Sequence, residues 1–222
     1  MKLPKLYAIV NRETLDKRGV SVREFAEELR DGGVRLVQYR DKKNGPHEVL
    51  RTAAEIAQVF EGIDATLIFN DRADLAALLG WGVHVGQGDL SVEDARAVIG
   101  DSPCVGVSTH DEQQVLPHSQ AQGQDDTFNK SGDSLKGADY LAIGPVFQTA
   151  TKSDAEAVVG LGGVRRARAL TTKPLVAIGV IGLGNARQTI DAGADSVAVI
   201  SGLLVEGRRV RDVARDFLEI LG

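Results

Sequence analysis

Three hydrogen-bond donors alternate along one short stretch of the sequence, and two of them are cationic. They are Gln38, Arg40 and Lys42. On an extended strand, residues two positions apart point to the same side, so the three side chains would share one face. Arginine binds a phosphate through two parallel hydrogen bonds, and lysine adds a point charge. The spacing indicates an anion-binding clamp, and a solvated run of loop charges stays open as the alternative.

Two carboxylates, those of Asp71 and Asp89, each follow a short apolar run. Mg²⁺ favours one or two protein carboxylates together with water and substrate phosphate oxygens, so the pair fits a magnesium site beside the basic clamp. Each aspartate also stands before a helical pattern, where aspartate often caps the helix N-terminus. The sequence leaves magnesium binding and helix capping both open.

Glycines follow the last two apolar runs of the chain, at positions 179, 182, 184 and 202. A residue without a Cβ lets a phosphate approach backbone N–H groups closely. Tight turns need glycine as well. The cluster is therefore consistent with a phosphate site and with ordinary turns.

The remaining candidates for metal or nucleophilic chemistry are His84, His110 and Cys104. Their spacing matches no regular zinc-ligand pattern. We expect each histidine to be a hydrogen-bonded interior or rim residue. The cysteine has no base beside it in the sequence and is expected to be a small core residue.

Eight short apolar runs alternate with segments of helical periodicity along the chain. The runs are residues 6–10, 36–39, 67–69, 83–85, 105–107, 140–143, 175–178 and 197–200. The helical segments are residues 22–30, 47–60, 73–79, 92–99, 164–170, 185–192 and 210–221. Strands that are apolar on both faces and separated by helices predict a parallel sheet covered by helices.

Eight strand–helix units in 222 residues predict one α/β domain over residues 1–222, folded as a compact (β/α)₈ barrel. A doubly wound open sheet is the alternative. In such a barrel the active site lies at the carboxyl ends of the strands, where the clamp, the carboxylates and the glycines fall. Only five of the 26 residues in segment 111–136 are apolar, so we expect a short helix at most, followed by a mobile remainder.

The composition excludes several classes of partner and location. A net charge of −5 offers no general attraction for nucleic acid or an acidic membrane surface. Cys104 is the single cysteine, so no intrachain disulfide can form, and no apolar run approaches the roughly 20 residues needed to span a bilayer. The first ten residues do not resemble a secretion signal. We expect a cytoplasmic protein without nucleic-acid or membrane partners, and a homo-oligomer stays open.

Several motifs at the predicted strand ends occur in a recognisable order. They lie at residues 38–42, 68–71, 82–89, 106–110, 137–152 and 193–201, and include Asn70-Asp71 and Gly86-Gln87-Gly88-Asp89. Taken together they resemble the thiamine-phosphate synthase family. The resemblance extends from Leu6 to about Leu203 and so covers nearly the whole chain.

The resemblance implies a transferase that joins 4-amino-2-methyl-5-hydroxymethylpyrimidine diphosphate to a hydroxyethylthiazole phosphate, with or without a carboxylate on the thiazole. The products would be thiamine monophosphate and pyrophosphate, formed by a dissociative path without a protein nucleophile. One Mg²⁺ per active site would be held at Asp71 and Asp89.

Further residue roles also follow from the resemblance alone. The pyrimidine diphosphate would be bound by Gln38, Arg40, Lys42, Asn70, Ser108 and Lys152. Four of these residues, Arg40, Lys42, Ser108 and Lys152, would be catalytic. The thiazole phosphate would be bound by Thr149, Thr151, Gly179, Val180, Ile200 and Ser201.

One departure from the family pattern and two rival functions remain. The family commonly has a second glycine where this chain has Val180, and a Cβ there makes a positive φ costly. A thiazole tautomerase-like isomerase would share the fold, but it typically lacks the Asn-Asp pair and the second aspartate that are present here. A catalytically silent barrel that binds a phosphorylated ligand is the other rival.

Overall fold

Eight parallel strands form a closed barrel in the computed structural model, which describes residues 2–101, 103–109, 135–148 and 157–222. Each strand pairs with the next in sequence, and the eighth pairs with the first. The strands are β1 Leu6–Asn11, β2 Leu36–Arg40, β3 Thr66–Asn70, β4 Gly82–Val85, β5 Val105–Thr109, β6 Tyr140–Ile143, β7 Leu175–Ile178 and β8 Ser196–Val199. The predicted (β/α)₈ barrel is confirmed, and the open sheet is excluded.

Helices connect the strands and cover the outside of the barrel. Those described are α1 Arg12–Arg18, α2 Val22–Asp31, α3 Pro46–Val59, α4 Ala73–Leu79, α5 Val92–Ile99, α6 Gly160–Leu170, α7 Ala186–Asp191 and α8 Val210–Leu221. A short 3₁₀ helix, Ser201–Leu203, follows β8. Residues 110–134 lie outside the described residues, and so does the short helix predicted at the start of segment 111–136. No helix in the described part of the chain is long and apolar enough to cross a bilayer.

One helix was not predicted, and one other helix begins more than one residue from its predicted start. Sequence analysis missed α1, because Leu15 is its only buried residue and it has no repeating apolar stripe. It is fixed at its ends, where the Asn11 side chain accepts a hydrogen bond from the Thr14 N–H and Gly19 adopts φ 65°. The sixth helix begins at Gly160, four residues before the predicted start, because its glycine-rich first turn carries little apolar periodicity.

Alternation along the strands separates two apolar layers. Leu36 packs inside the barrel with residues such as Ile68, whereas Val37 and Tyr39 pack outward beneath the helices. Residues two apart share a side. The inward side of β2 therefore continues from Leu36 to Gln38 and Arg40, which face the barrel axis.

Two Gly-Ala-Asp motifs in the resemblance stabilise the opposite, amino end of the barrel. Asp139 accepts a hydrogen bond from the Val105 N–H at the start of β5, and it pairs with Arg96. Asp195 accepts from the N–H of Leu175 at the start of β7 and pairs with Arg168. These motifs therefore support the barrel rather than its chemistry.

The absence of a side chain at Gly106 makes room for a buried ring. A Cβ built there would lie 2.0 Å from Cζ of Tyr140. We expect Gly106→Ala to lower the free energy of unfolding by about 3 kcal/mol, since overpacking a rigid core costs roughly that much. Urea unfolding measures the change. Gly88→Ala is the matched control, because no atom lies within 4 Å of its Cβ position. Equal stability of the two variants would contradict this packing.

Candidate active site

The predicted site residues gather at the carboxyl end of the barrel. Arg40 and Asn70 are the last residues of β2 and β3, and Ser108 is the penultimate residue of β5. Lys42, Asp71 and Asp89 lie in the loops that follow β2, β3 and β4, while Gly179, Val180, Ile200 and Ser201 follow β7 and β8. Parallel strands place all of these ends at one mouth. Thr149, Thr151 and Lys152 lie outside the described residues, as does His110.

The carboxyl groups of Asp71 and Asp89 lie close enough at this mouth to affect each other electrostatically. Partial burial and the neighbouring Asp71 raise the pKa of Asp89, although its Oδ2 also accepts a 2.8 Å hydrogen bond from the Gly86 N–H. Nζ of Lys42 lies 2.8 Å from Oδ2 of Asp71. Two adjacent carboxylates repel each other, so a cation bound between or beside them is strongly stabilised.

Neither aspartate caps a helix. The N-cap of α5 is Ser91, whose hydroxyl accepts a hydrogen bond from the Asp94 N–H. The N-cap of α4 is Arg72, which makes no side-chain capping bond. The capping interpretation of Asp71 and Asp89 is therefore wrong.

The carboxylate pair fits a hard divalent cation. Within the described ranges there is no cluster of three or more His, Cys, Asp or Glu side chains that could hold a metal. Mg²⁺ does not need such a cluster, because it commonly takes one or two carboxylates and completes its shell with water and phosphate oxygens. Asp71 and Asp89 provide such a donor set.

Arg40 is a half-buried cation at the mouth. Among the described residues it has no ion-pair or hydrogen-bond partner, in contrast to Lys42, which pairs with Asp71. A guanidinium group on the inward face of β2 can therefore bind an anion without first breaking an internal contact. This arrangement favours the clamp over a solvated run of charges.

A continuous chain of hydrogen bonds crosses the barrel interior below the mouth. Gln38 donates to the Tyr7 hydroxyl at 2.8 Å, and the hydroxyls of Tyr7 and Tyr140 lie 2.9 Å apart. The Tyr140 hydroxyl lies 3.0 Å from Nδ1 of His84, and Nε2 of His84 lies 2.8 Å from Oγ of Ser108. We call these five residues the interior chain.

The electrostatics of the interior chain follow from burial. Burial lowers the pKa of His84 to about 4, so the imidazole is neutral near pH 7. Burial also raises the pKa of Tyr7 and Tyr140 well above the usual tyrosine value. The prediction of an interior, hydrogen-bonded His84 is confirmed. Sequence analysis missed both tyrosines, although two inward tyrosines among aliphatic strand residues were a readable signal.

The turn after β7 has an unusual backbone. Gly179 adopts φ 116° and Val180 adopts φ 50°. The Asn185 side chain holds the turn, accepting from the Gly182 N–H and donating to the Val180 carbonyl. The Gly182 N–H is thereby unavailable to a phosphate. The N–H groups of Val180, Ser201 and Gly202, in contrast, donate to no acceptor among the described residues.

Val180 bears the conformational cost expected from its sequence. A left-handed backbone costs an L-residue roughly 1–2 kcal/mol, and the Val180 side chain is 53% exposed, so burial returns little. Because glycine loses about 0.5–1 kcal/mol more backbone entropy on folding, we expect Val180→Gly to stabilise the protein by up to about 1 kcal/mol. Denaturant unfolding measures this difference.

The control for Val180→Gly is Val98→Gly. Val98 is a similarly exposed valine, but it lies within α5, where glycine lowers stability. The two substitutions should therefore shift the unfolding free energy in opposite directions. Destabilisation by both would show that the backbone of Val180 is not strained.

The fold and the mouth define a class of protein: a (β/α)₈-barrel enzyme with paired carboxylates and cations at the carboxyl ends of its strands. Comparisons with known proteins narrow this class. The sequence model of the family described as thiamine monophosphate synthase matches residues 6–203. The chain therefore belongs to the thiamine monophosphate synthase family.

Individual relatives agree with this assignment. The thiamine-phosphate synthase of Koribacter versatilis is 46% identical over all of this chain and 97% of the relative. That of Clostridium novyi is 35% identical over 90% of each chain. The solved structure of thiamine phosphate pyrophosphorylase from Pyrococcus furiosus superposes with a TM-score of 0.79 at 29% identity, covering 98% of this chain and 95% of the other.

Proposed function

We propose that this enzyme condenses 4-amino-2-methyl-5-hydroxymethylpyrimidine diphosphate with a hydroxyethylthiazole phosphate to give thiamine monophosphate and pyrophosphate. The observation that carries the proposal is the proximity of Asp71 and Asp89 beside Lys42 and beside Arg40, which has no ion-pair partner among the described residues. This is the arrangement needed to bind a diphosphate with a divalent cation and then to release it as pyrophosphate. The family membership supports the same activity.

The chain's own residues divide into three groups in this proposal. Gln38, Asn70 and Ser108 hold the pyrimidine ring, and Arg40, Lys42 and Lys152 hold its diphosphate. Thr149, Thr151, Gly179, Val180, Ile200 and Ser201 hold the thiazole phosphate, to which Val180 and Ser201 offer N–H groups that donate to no acceptor among the described residues. One Mg²⁺ at Asp71 and Asp89 supplies further positive charge for the diphosphate.

Charge stabilisation and proximity account for the chemistry. As the methylene C–O bond breaks, negative charge builds up on the departing pyrophosphate, where Arg40, Lys42 and Lys152 stabilise it. The pyrimidine amino group donates electron density to the methylene carbon. The thiazole nitrogen then forms the new C–N bond, so no protein nucleophile is required. Holding both rings in one mouth makes this step effectively unimolecular.

Mixing purified protein with both substrates and Mg²⁺ tests the activity. We expect thiamine monophosphate and pyrophosphate to appear in equal amounts, and chelation of the metal to stop both. Isomerisation of the thiazole without condensation would identify a tautomerase-like isomerase. Tight binding of the thiazole phosphate without any product would identify a silent binding barrel. The Asp71–Asp89 pair favours the synthase, because neither rival needs a divalent cation at the mouth.

We further propose that the enzyme works in the cytoplasm and acts on small phosphorylated molecules rather than nucleic acid. The single, buried and unpaired Cys104 suits a reducing compartment. The net charge of −5 gives no general attraction for a polyanion, so the cations at the mouth serve a local anion site.

A further inference from the structure

The interior chain links two proposed substrate-binding side chains through three residues that have no role in the proposed reaction. Gln38 and Ser108 form its ends and lie on β2 and β5. Tyr7, Tyr140 and His84 lie between them and come from β1, β6 and β4. All three intermediate side chains are buried, so none of them offers a surface to substrate.

The interior chain can run in either of two directions, and the orientation of the Gln38 amide, whose nitrogen faces the Tyr7 hydroxyl, selects one of them. An amide nitrogen only donates, so Gln38 donates a hydrogen bond to the Tyr7 hydroxyl. The Tyr7 hydroxyl then uses its one hydrogen to donate to the Tyr140 hydroxyl. Tyr140 then donates to Nδ1 of His84. A neutral imidazole that accepts at Nδ1 carries its proton on Nε2, which donates to Ser108. No group in the interior chain can exchange its donor and acceptor roles unless all the others exchange theirs as well.

Packing holds the middle of the interior chain in place. The Tyr140 ring occupies the space where a side chain at position 106 would lie, since a Cβ added to Gly106 would be only 2.0 Å from the ring. The rings of Tyr7 and Tyr140 meet edge to face at 6.0 Å, and the ring of His84 stacks on Tyr140 at 5.6 Å. The three rings therefore have little freedom to break and remake their hydrogen bonds.

We propose that Tyr7, Tyr140 and His84 are positioning residues that couple the hydrogen-bonding direction of Gln38 to that of Ser108, with the Gln38 amide nitrogen as the first donor. In this arrangement Gln38 keeps its amide oxygen for the substrate, as an acceptor, and Ser108 keeps its hydroxyl proton, as a donor. The inference rests on the proposed function, which places the pyrimidine against these two side chains.

An aminopyrimidine matches that pair of groups. Its amino group donates and its ring nitrogens accept, so the ring can satisfy an acceptor and a donor together. The reversed chain would offer a donor from Gln38 and an acceptor from Ser108. A site of fixed direction discriminates against a ring whose donor and acceptor are exchanged, because buried polar groups would then lack partners.

Nitrogen-15 NMR of the full chain labelled at histidine tests the direction without any substrate. We expect His84 to be protonated on Nε2 and unprotonated on Nδ1, with its resonances assigned by their loss in His84→Gln. Tyr140→Phe should shift both resonances, and Tyr39→Phe should leave them unchanged. Tyr39 is the matched control, since its buried ring donates a hydroxyl hydrogen bond to Asp41 outside the interior chain. A proton on Nδ1 would overturn the proposal.

Binding of the pyrimidine diphosphate, measured by calorimetry, tests the positioning role. We expect Tyr140→Phe and Tyr7→Phe to weaken it about 10–100-fold, the usual effect of removing an outer partner that orients a ligand-binding group. Binding of the thiazole phosphate should stay within about twofold, because neither Gln38 nor Ser108 is among the residues proposed to hold it. In a variant that already carries Gln38→Ala and Ser108→Ala, adding Tyr140→Phe should weaken binding of the pyrimidine diphosphate by less than about threefold. The two side chains through which Tyr140 acts are absent in that variant.

The positioning role would be overturned if the tyrosine substitutions weakened binding of both ligands equally, or if they did not weaken binding at all. It would also be overturned if Tyr140→Phe weakened binding just as much in the variant that lacks Gln38 and Ser108. These binding measurements need no turnover. A protein that shows the expected histidine tautomer and binding pattern but forms no product would contradict the proposed function and leave the positioning role intact.

Discussion

We expect Asp89→Asn to lower kcat by about 10²–10³-fold, equivalent to roughly 3–4 kcal/mol of lost charge stabilisation, and to raise the Mg²⁺ concentration needed for half-maximal rate. The physical reason is that a bound divalent cation would be attracted more strongly by two adjacent carboxylates than by one, and the amide keeps the shape of the side chain but removes its charge. Asp71→Asn should act in the same direction. Its φ of 64° is well tolerated by asparagine, so the substitution does not disturb the backbone.

Asp74→Asn is the matched control for both substitutions. Asp74 is a nearby aspartate in α4, but its carboxylate is exposed and paired with Arg72. Steady-state rates over a range of Mg²⁺ concentrations should be unchanged in this variant. If Asp71→Asn and Asp89→Asn also gave an unchanged Mg²⁺ titration, the carboxylates would have no role in metal binding.

Arg40→Ala produces the second large effect, a fall of about 10²–10³-fold in kcat/KM for the pyrimidine diphosphate, typical of removing a preorganised group that stabilises developing charge. Because Arg40 has no internal partner among the described residues, its loss leaves no buried carboxylate uncompensated, and stability should hardly change. Inhibition by pyrophosphate should weaken in parallel. Arg40→Lys should restore only part of the activity, because lysine cannot bind phosphate in two-pronged fashion.

Arg35→Ala is the control at the other end of the same strand. The Arg35 guanidinium donates to the Val34 carbonyl at the amino end of the barrel, far from the mouth. Its removal should leave kcat/KM and pyrophosphate inhibition unchanged. Matching losses in Arg35→Ala and Arg40→Ala would mean that the effect reflects net charge rather than a clamp.

The fold was predictable because its signal is repeated eight times. Most strands are short apolar runs and most helices between them have an apolar face, so local pattern and global architecture agree. The same alternation predicted that Gln38 and Arg40 share one face, and in the barrel this face of β2 points inward. The first helix was not predictable, because a capping Asn11 and a terminal Gly19 define it without any stripe.

The candidate site was predictable in its residue types but not in its contacts. The proximity of Asp71 and Asp89 could be predicted, because the ends of neighbouring parallel strands lie close together. Whether either aspartate caps a helix could not be predicted, because that depends on the residue at which α4 or α5 begins. The interior chain was out of reach for a different reason. Tyr7 and Tyr140 lie 133 residues apart, and only closure of the barrel brings their hydroxyls together.

Diffraction from crystals grown with Mn²⁺ and pyrophosphate tests most directly whether the two carboxylates and the two cations form a single site for metal and diphosphate. Anomalous scattering locates the metal in such crystals. We expect one Mn²⁺ per chain, bound by the carboxylates of Asp71 and Asp89, with the pyrophosphate in contact with Arg40 and Lys42. A metal bound away from both aspartates, or pyrophosphate held only at the turns after β7 and β8, would contradict this expectation.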